Sequence, residues 1–100
     1  MSDADPVVLI NVYRCAPEKQ PLLMELLAVM VAAQRGADGF ISATLHRGLN
    51  GKTAAVYAVW RSREDWKAMA RSPEVAGAME PIMAIATFEP HLYEPGEVID

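Results

Sequence analysis

One hundred residues, 52% of them hydrophobic and 22% charged, have the composition of one globular domain and exclude a disordered tail or a fibrous repeat. A net charge of -4 and a pI near 5.1 argue against a nucleic-acid surface, which is built from clustered Lys and Arg that displace counterions. The lone Cys15 cannot close an intrachain disulfide, and no Cys or His pair has metal-ligand spacing, so no metal and no redox staple are expected.

The acidic segment 1–6 reads as a loose N-terminus. The apolar run behind it is too short for a secretory h-region or a membrane span, so a cytoplasmic protein without a membrane partner is expected. Residues 7–15 are β-branched, aromatic and apolar apart from Asn11 and Arg14, and Pro17 stops them, which predicts a first strand. From Glu18 to about Arg35, Leu23, Leu26, Leu27, Met30 and Val31 recur at three and four. This predicts a long amphipathic helix begun at Pro17 or Pro21 and stopped by Gly36 and Asp38-Gly39.

Phe40–Leu49 and Thr53–Arg61 read as strands joined at Asn50-Gly51, a dipeptide suited to the positive φ values of a two-residue hairpin turn. Positions summing to 101 then face each other, which sets Leu45 opposite Val56, Ala43 opposite Ala58 and Ile41 opposite Trp60 on one apolar face. The other face pairs Ser42 with Val59, Thr44 with Tyr57 and His46 with Ala55, a mixed surface suited to solvent or a second sheet. Ser62-Arg63-Glu64-Asp65 reads as a capping box that opens a helix carrying Trp66, Met69 and Ala70. Ser72-Pro73-Glu74 repeats the start signal for a short third helix expected to run to about Glu80, before Pro81. Ala86–Glu94 reads as a last strand in which Pro90 marks an edge or a bulge, and residues 95–100 as a tail.

The order strand, helix, strand, strand, helix pair, strand predicts an α+β, ferredoxin-like βαββαβ domain spanning 1–100, with an antiparallel sheet and its helices on one face. Such a sheet leaves its other face bare, and burying the mixed face against a second copy gives a homodimeric α/β barrel.

Gly39-Phe40-Ile41-Ser42-Ala43-Thr44-Leu45-His46-Arg47, then Asn50-Gly51, then Tyr57-Ala58-Val59-Trp60-Arg61-Ser62-Arg63-Glu64 resemble the antibiotic biosynthesis monooxygenase family, as does the ending Pro90-His91-Leu92-Tyr93-Glu94. The resemblance implies a dimeric barrel with a pocket between sheet and helices. It also implies oxidation of a phenolic, quinol-type or polyketide-like aromatic molecule by O2 without flavin, metal or haem. The substrate would supply the electrons while the protein binds it, favours its anion and excludes water.

Two family positions are matched, by Trp60 at the end of the third strand and Trp66 on the following helix. Val56 stands where polyketide oxidases have an asparagine four residues before that tryptophan, and Asn11 can substitute because alternation turns it to the helix side with Leu9. Haem-degrading relatives resemble the chain at Asn11, but Met69 and Met79 occupy the positions of their second-helix tryptophan and their iron-binding histidine.

The candidate catalytic residues are therefore Asn11, Trp60, Trp66 and His46, the last as a base near neutrality. The candidate pocket combines Ile41, Leu45, Val56 and Ala58 with Met30, Met69, Met79 and Met83, the methionines also reading as adaptable core. The competing structural readings are plain packing for both tryptophans, adaptable core for Met24 and Met30, a hydrogen bond to a neighbouring loop for Asn11, a polar network between the sheets for His46, a surface or interface for His91, and a solvated helix start for Arg61, Arg63, Glu64 and Asp65. A non-catalytic ligand-binding or stress-response domain, or an isomerase or cyclase of a reactive metabolite, are the alternatives on the same scaffold.

Overall fold

The computed structural model describes residues 5–100; most of the expected loose N-terminus, residues 1–4, lies outside the described residues. The elements are β1 (Val7–Cys15), α1 (Gln20–Gln34), β2 (Phe40–Arg47), β3 (Thr53–Trp60), α2 (Arg63–Ala70), α3 (Pro73–Met83) and β4 (Ala86–Tyr93). Their strands form one antiparallel sheet in the order β2-β3-β1-β4, the ferredoxin-like arrangement.

Strand alternation separates the two faces of this sheet. Leu9, Asn11 and Tyr13 on β1 and Ala54, Val56, Ala58 and Trp60 on β3 are buried beneath the helices. The opposite face has an apolar middle, Ile10 beside Tyr57 and Val12 beside Ala55, with Thr44, His46, Glu89 and His91 along its two edges.

Local chemistry explains how the elements begin and end. Pro17–Lys19 form a 3-10 turn, so α1 starts at Gln20 rather than Glu18, with Pro21 in its first turn, where a missing N–H costs no intrahelical bond. The Gln20 side chain donates to the carbonyls of Gly48 and Thr53, both at 3.0 Å, tying the head of α1 to the hairpin loop. Ser62 caps α2: its Oγ accepts from the Asp65 N–H and donates to Asp65 Oδ2, while Arg61 Nε reaches the same oxygen at 2.8 Å. These two donors, Arg61 first, hold the Asp65 carboxyl below its ordinary pKa. Gly39 sits at φ +84°, and a Cβ there would collide with the Asp65 side chain, so chain reversal and helix cap share one space. Ser72 caps α3 in the same manner.

Three local expectations need correction. The hairpin keeps its register, yet Gly48 N–H bonds to Thr53 O and Gly51 N–H to Gly48 O, so the turn spans four residues. Only Gly51 of the pair has positive φ. Asn50 contributes through its side chain, accepting from the Lys52 N–H and the Thr53 hydroxyl. A four-residue loop has the same parity as a two-residue one, which is why the facing pairs are unchanged. At the other end of the hairpin Phe40, not Ile41, faces Trp60, because an irregularity between Phe40 and Ser42 turns Ile41 outward, 55% exposed. The Phe40 and Trp60 rings meet edge to face, 5.4 Å between centroids. Finally, α3 continues through Pro81 to Met83; the carbonyl that a proline ring crowds belongs to the residue four earlier, here Gly77.

Candidate functional site

A half-open cavity of about 230 Å³ lies between the sheet and the helices. Its floor is Leu9, Asn11 and Tyr13 of β1 with Val56 of β3, and its rim at the sheet edge is Phe88 and Pro90 of β4. Register explains the floor: Asn11 lies directly between Val56 and Pro90 on the two neighbouring strands. Pro90 is tolerated because β4 is an edge strand, as its place in the sequence suggests. The helices close the cavity with Met30 and Gln34 of α1, Trp66 and Met69 of α2, and Val75 and Met79 of α3.

Most of this wall is apolar, and its polar groups are few and incompletely satisfied. Asn11 Nδ2 donates to the Tyr13 hydroxyl at 2.9 Å, but Asn11 Oδ1 is buried without a partner. Gln34 Oε1 and Trp66 Nε1 are likewise buried without partners. The Tyr13 O–H, having accepted from Asn11, points its own proton toward only Met30 Sδ, 4.0 Å away, a weak acceptor. A buried polar group left unpaired costs about 1–3 kcal/mol, and three of them, Asn11 Oδ1, Gln34 Oε1 and Trp66 Nε1, belong to residues that line this cavity, while Trp60 Nε1, also unpaired, is buried in the core away from it.

Burial pushes the Tyr13 hydroxyl up to about 12, partly opposed by the hydrogen bond from Asn11. The folded state therefore holds this proton more tightly than the unfolded chain, whose phenol titrates near 10.0. Its contribution to stability is fully present below pH 10 and is lost as pH rises toward 12, a fall of roughly 2–3 kcal/mol for a shift of this size. Urea titrations across that window should show this decline in the native chain and a shallower one in Tyr13→Phe; equal slopes would place the pH dependence elsewhere.

Of the residues singled out from sequence, Asn11, Trp66, Val56, Met30, Met69 and Met79 surround the cavity. The remainder do not. Ile41 is turned outward by the irregularity in β2. Leu45 packs against the core from β2, the edge strand on the far side of β3. Ala58 and Trp60 are fully buried in that core, and Trp60 lies two inward-facing steps from Val56, toward the end of β3. Met83 is 54% exposed, because the 3.6-residue period carries the buried stripe of α3 from Val75 to Ile82 and leaves the next position at the margin. His46 lies on the opposite sheet face, exposed, so it cannot serve this cavity as a base from within the same chain.

Tyr13 and Gln34 were not selected from sequence, although signals existed. Tyr13 follows Asn11 by two on one strand face, and Gln34 ends the buried helical stripe Gln20, Leu23, Leu27, Met30, where an amide is out of place.

Comparison with known proteins follows the same lines. A family profile described as antibiotic biosynthesis monooxygenase matches residues 6–81. The chain is 40% identical over 72 residues to the tetracenomycin-F1 monooxygenase of Streptomyces glaucescens, an alignment covering 71% of this chain and 64% of that relative's length. Its fold is similar to that of SnoaB, a cofactor-independent oxygenase from Streptomyces nogalater. The TM-score is 0.84 and the identity 21%, over 96% of this chain and 98% of that one. Rv0793 from Mycobacterium tuberculosis is similar at TM-score 0.82 and 21% identity, over 96% of this chain and all of that one (100%).

Proposed function

The chain belongs to the antibiotic biosynthesis monooxygenase family, and from that premise we propose that it oxidises a hydroxylated aromatic ketone or phenol with O2, without a cofactor, in the cavity over Asn11 and Tyr13. The observation that carries this reading is the set of unpaired polar atoms, Asn11 Oδ1, Gln34 Oε1 and Trp66 Nε1, around an otherwise apolar cavity. Oxygen chemistry of this kind asks the protein to hold the carbanion or phenolate form of a substrate that supplies its own electrons. In this reading Trp66 Nε1 and the Tyr13 hydroxyl serve as the donors to the developing oxyanion, and the apolar wall strengthens them by excluding water. With Tyr13 held neutral to about pH 12, its hydroxyl acts as a donor rather than a base in the physiological range.

Asn11 supplies the amide that family oxidases carry at the position of Val56. The two residues are directly paired across β1 and β3, so the functional group has moved one strand sideways while staying on the cavity floor.

The partner we propose is a second copy of the chain. The apolar middle of the uncovered sheet face, with Ile10 and Tyr57 both exposed, favours burial against a like face, which closes the barrel. One unpaired cysteine accords with a reducing, cytoplasmic setting.

Oxygen uptake by metal-free, flavin-free protein with a panel of anthrones and hydroquinones tests the reading. The expected result is turnover of at least one anthrone with one O2 consumed per quinone formed and water as the second product. Because the cavity wall holds no imidazole or carboxylate among the described residues, the pH profile should follow the ionisation of whichever substrate is used. Tight binding without oxygen consumption would replace this reading by that of a ligand-binding domain, and product without oxygen consumption by that of an isomerase or cyclase.

A further inference from the structure

Gln34 closes α1 and is the one amide that the helical layer contributes to the cavity. Only 4% of it is exposed, and its Oε1 is buried without a hydrogen-bond partner. Position makes this notable. A glutamine in the last turn of a helix can ordinarily turn to solvent, and one held inside forgoes water that nothing in the protein replaces. Met30, one turn earlier on the same helix face, has its sulfur 4.0 Å from the Tyr13 hydroxyl. Residues four apart on a helix lie about 5–6 Å from each other at Cβ. Gln34 thus lines the cavity about one helical turn along α1 from Met30, the residue that α1 sets against the Tyr13 hydroxyl of the floor.

We infer that Gln34 determines substrate choice: its Oε1 accepts a hydrogen bond from a ring hydroxyl remote from the reacting carbon, so the site takes polyhydroxylated aromatic substrates and discriminates against rings lacking that hydroxyl. The inference rests on the proposed aromatic ligand and adds to it which substituents the ligand carries. Its physical basis is the asymmetry of hydrogen bonding in a dry site: a ring without the hydroxyl leaves the amide unpaired, whereas one with it satisfies both partners. Gln34 makes no contact with the reacting atoms in this scheme and acts through affinity.

Anaerobic binding followed by intrinsic tryptophan fluorescence tests this with two probes, unsubstituted anthrone and a dihydroxyanthrone, on the native chain and on Gln34→Met. Methionine matches the volume and helix preference of glutamine without its acceptor. The native chain should prefer the dihydroxyanthrone by about tenfold to a hundredfold. Gln34→Met should lose that preference through weaker binding of the hydroxylated probe alone, with a Tm equal to or above the native value because an unpaired buried acceptor has been removed. Equal weakening of both probes, a preference that survives the substitution, a lowered Tm or no binding of either probe to the native chain would each overturn the inference.

Oxygen uptake separates the two levels. A Gln34-dependent preference without turnover leaves the inference standing and sinks the oxygenase reading, while turnover with a preference indifferent to Gln34 does the reverse.

Discussion

Replacing Asn11 by Val is expected to lower kcat/KM for a dihydroxyanthrone by a factor on the order of 10²–10³, the usual cost of removing one preorganised hydrogen-bonding group from a water-excluded site. Asn11 has two tasks in the proposed mechanism. Its Nδ2 orients the Tyr13 hydroxyl at 2.9 Å, and its Oδ1 awaits a partner in the cavity. The loss should fall mainly on kcat if the developing anion is what the pair stabilises, and mainly on KM if it only positions the ground state. Valine suits a strand interior and adds no polar atom, so the fold should persist.

The informative companion is Asn11→Val with Val56→Asn, which exchanges the two residues across the β1–β3 pair. It should recover part of the lost rate, since the amide returns to the same floor one strand away, at the position used by the family's polyketide oxidases. Steady-state oxygen uptake on the native chain and on both variants measures this. An Asn11→Val enzyme as fast as the native one would remove the amide from the mechanism.

The two tryptophans should part company. Trp60 is fully buried, stacked edge to face on Phe40 and paired with Val7 across the sheet. Trp60→Ala is expected to cost about 3–5 kcal/mol. For a domain of this size that lowers Tm by on the order of 15–30 °C, a large part of the total stability. Trp60→Phe keeps most of the apolar area and should cost far less. Both indole Nε1 atoms are buried without a partner, but of the two only Trp66, on α2, borders the cavity. Trp66→Phe should therefore leave Tm within a few degrees of native, about 4–8 °C for each kcal/mol lost, and weaken binding of an anthrone. Thermal melts and anaerobic titrations on the same samples decide the matter. Loss of stability without loss of affinity in Trp66→Phe would return this residue to the core.

Segments that carry their own physics were legible in the chain. Alternation in β1 and β3 assigned Asn11 and Val56 to the helix side, and Ser62 and Ser72 marked their helices through hydroxyls that accept from the third residue on. The parity of the hairpin loop held even though the turn itself differed. Errors arose where one element's outcome depended on another. Nothing in Phe40-Ile41 announces that the Trp60 face will take Phe40 and expel Ile41. Likewise, no property of Leu45, Ala58 or Met83 reveals which apolar positions border a space and which fill one.

What the sequence by itself determined is the ferredoxin-like order of elements, the two faces of the sheet and the membership of the inward face, because strand alternation, helical periodicity and caps are properties of consecutive residues. Where along that face a cavity opens was decided only by tertiary structure. It depends on how three helices with Met30, Gln34, Trp66 and Met79 close over β1 and β4, and on the β1–β3 register that sets Asn11 against Val56. That register makes Asn11 and Val56 neighbours, which no reading along the chain could, since chain neighbours are covalent but cross-strand neighbours exist only once the sheet has formed.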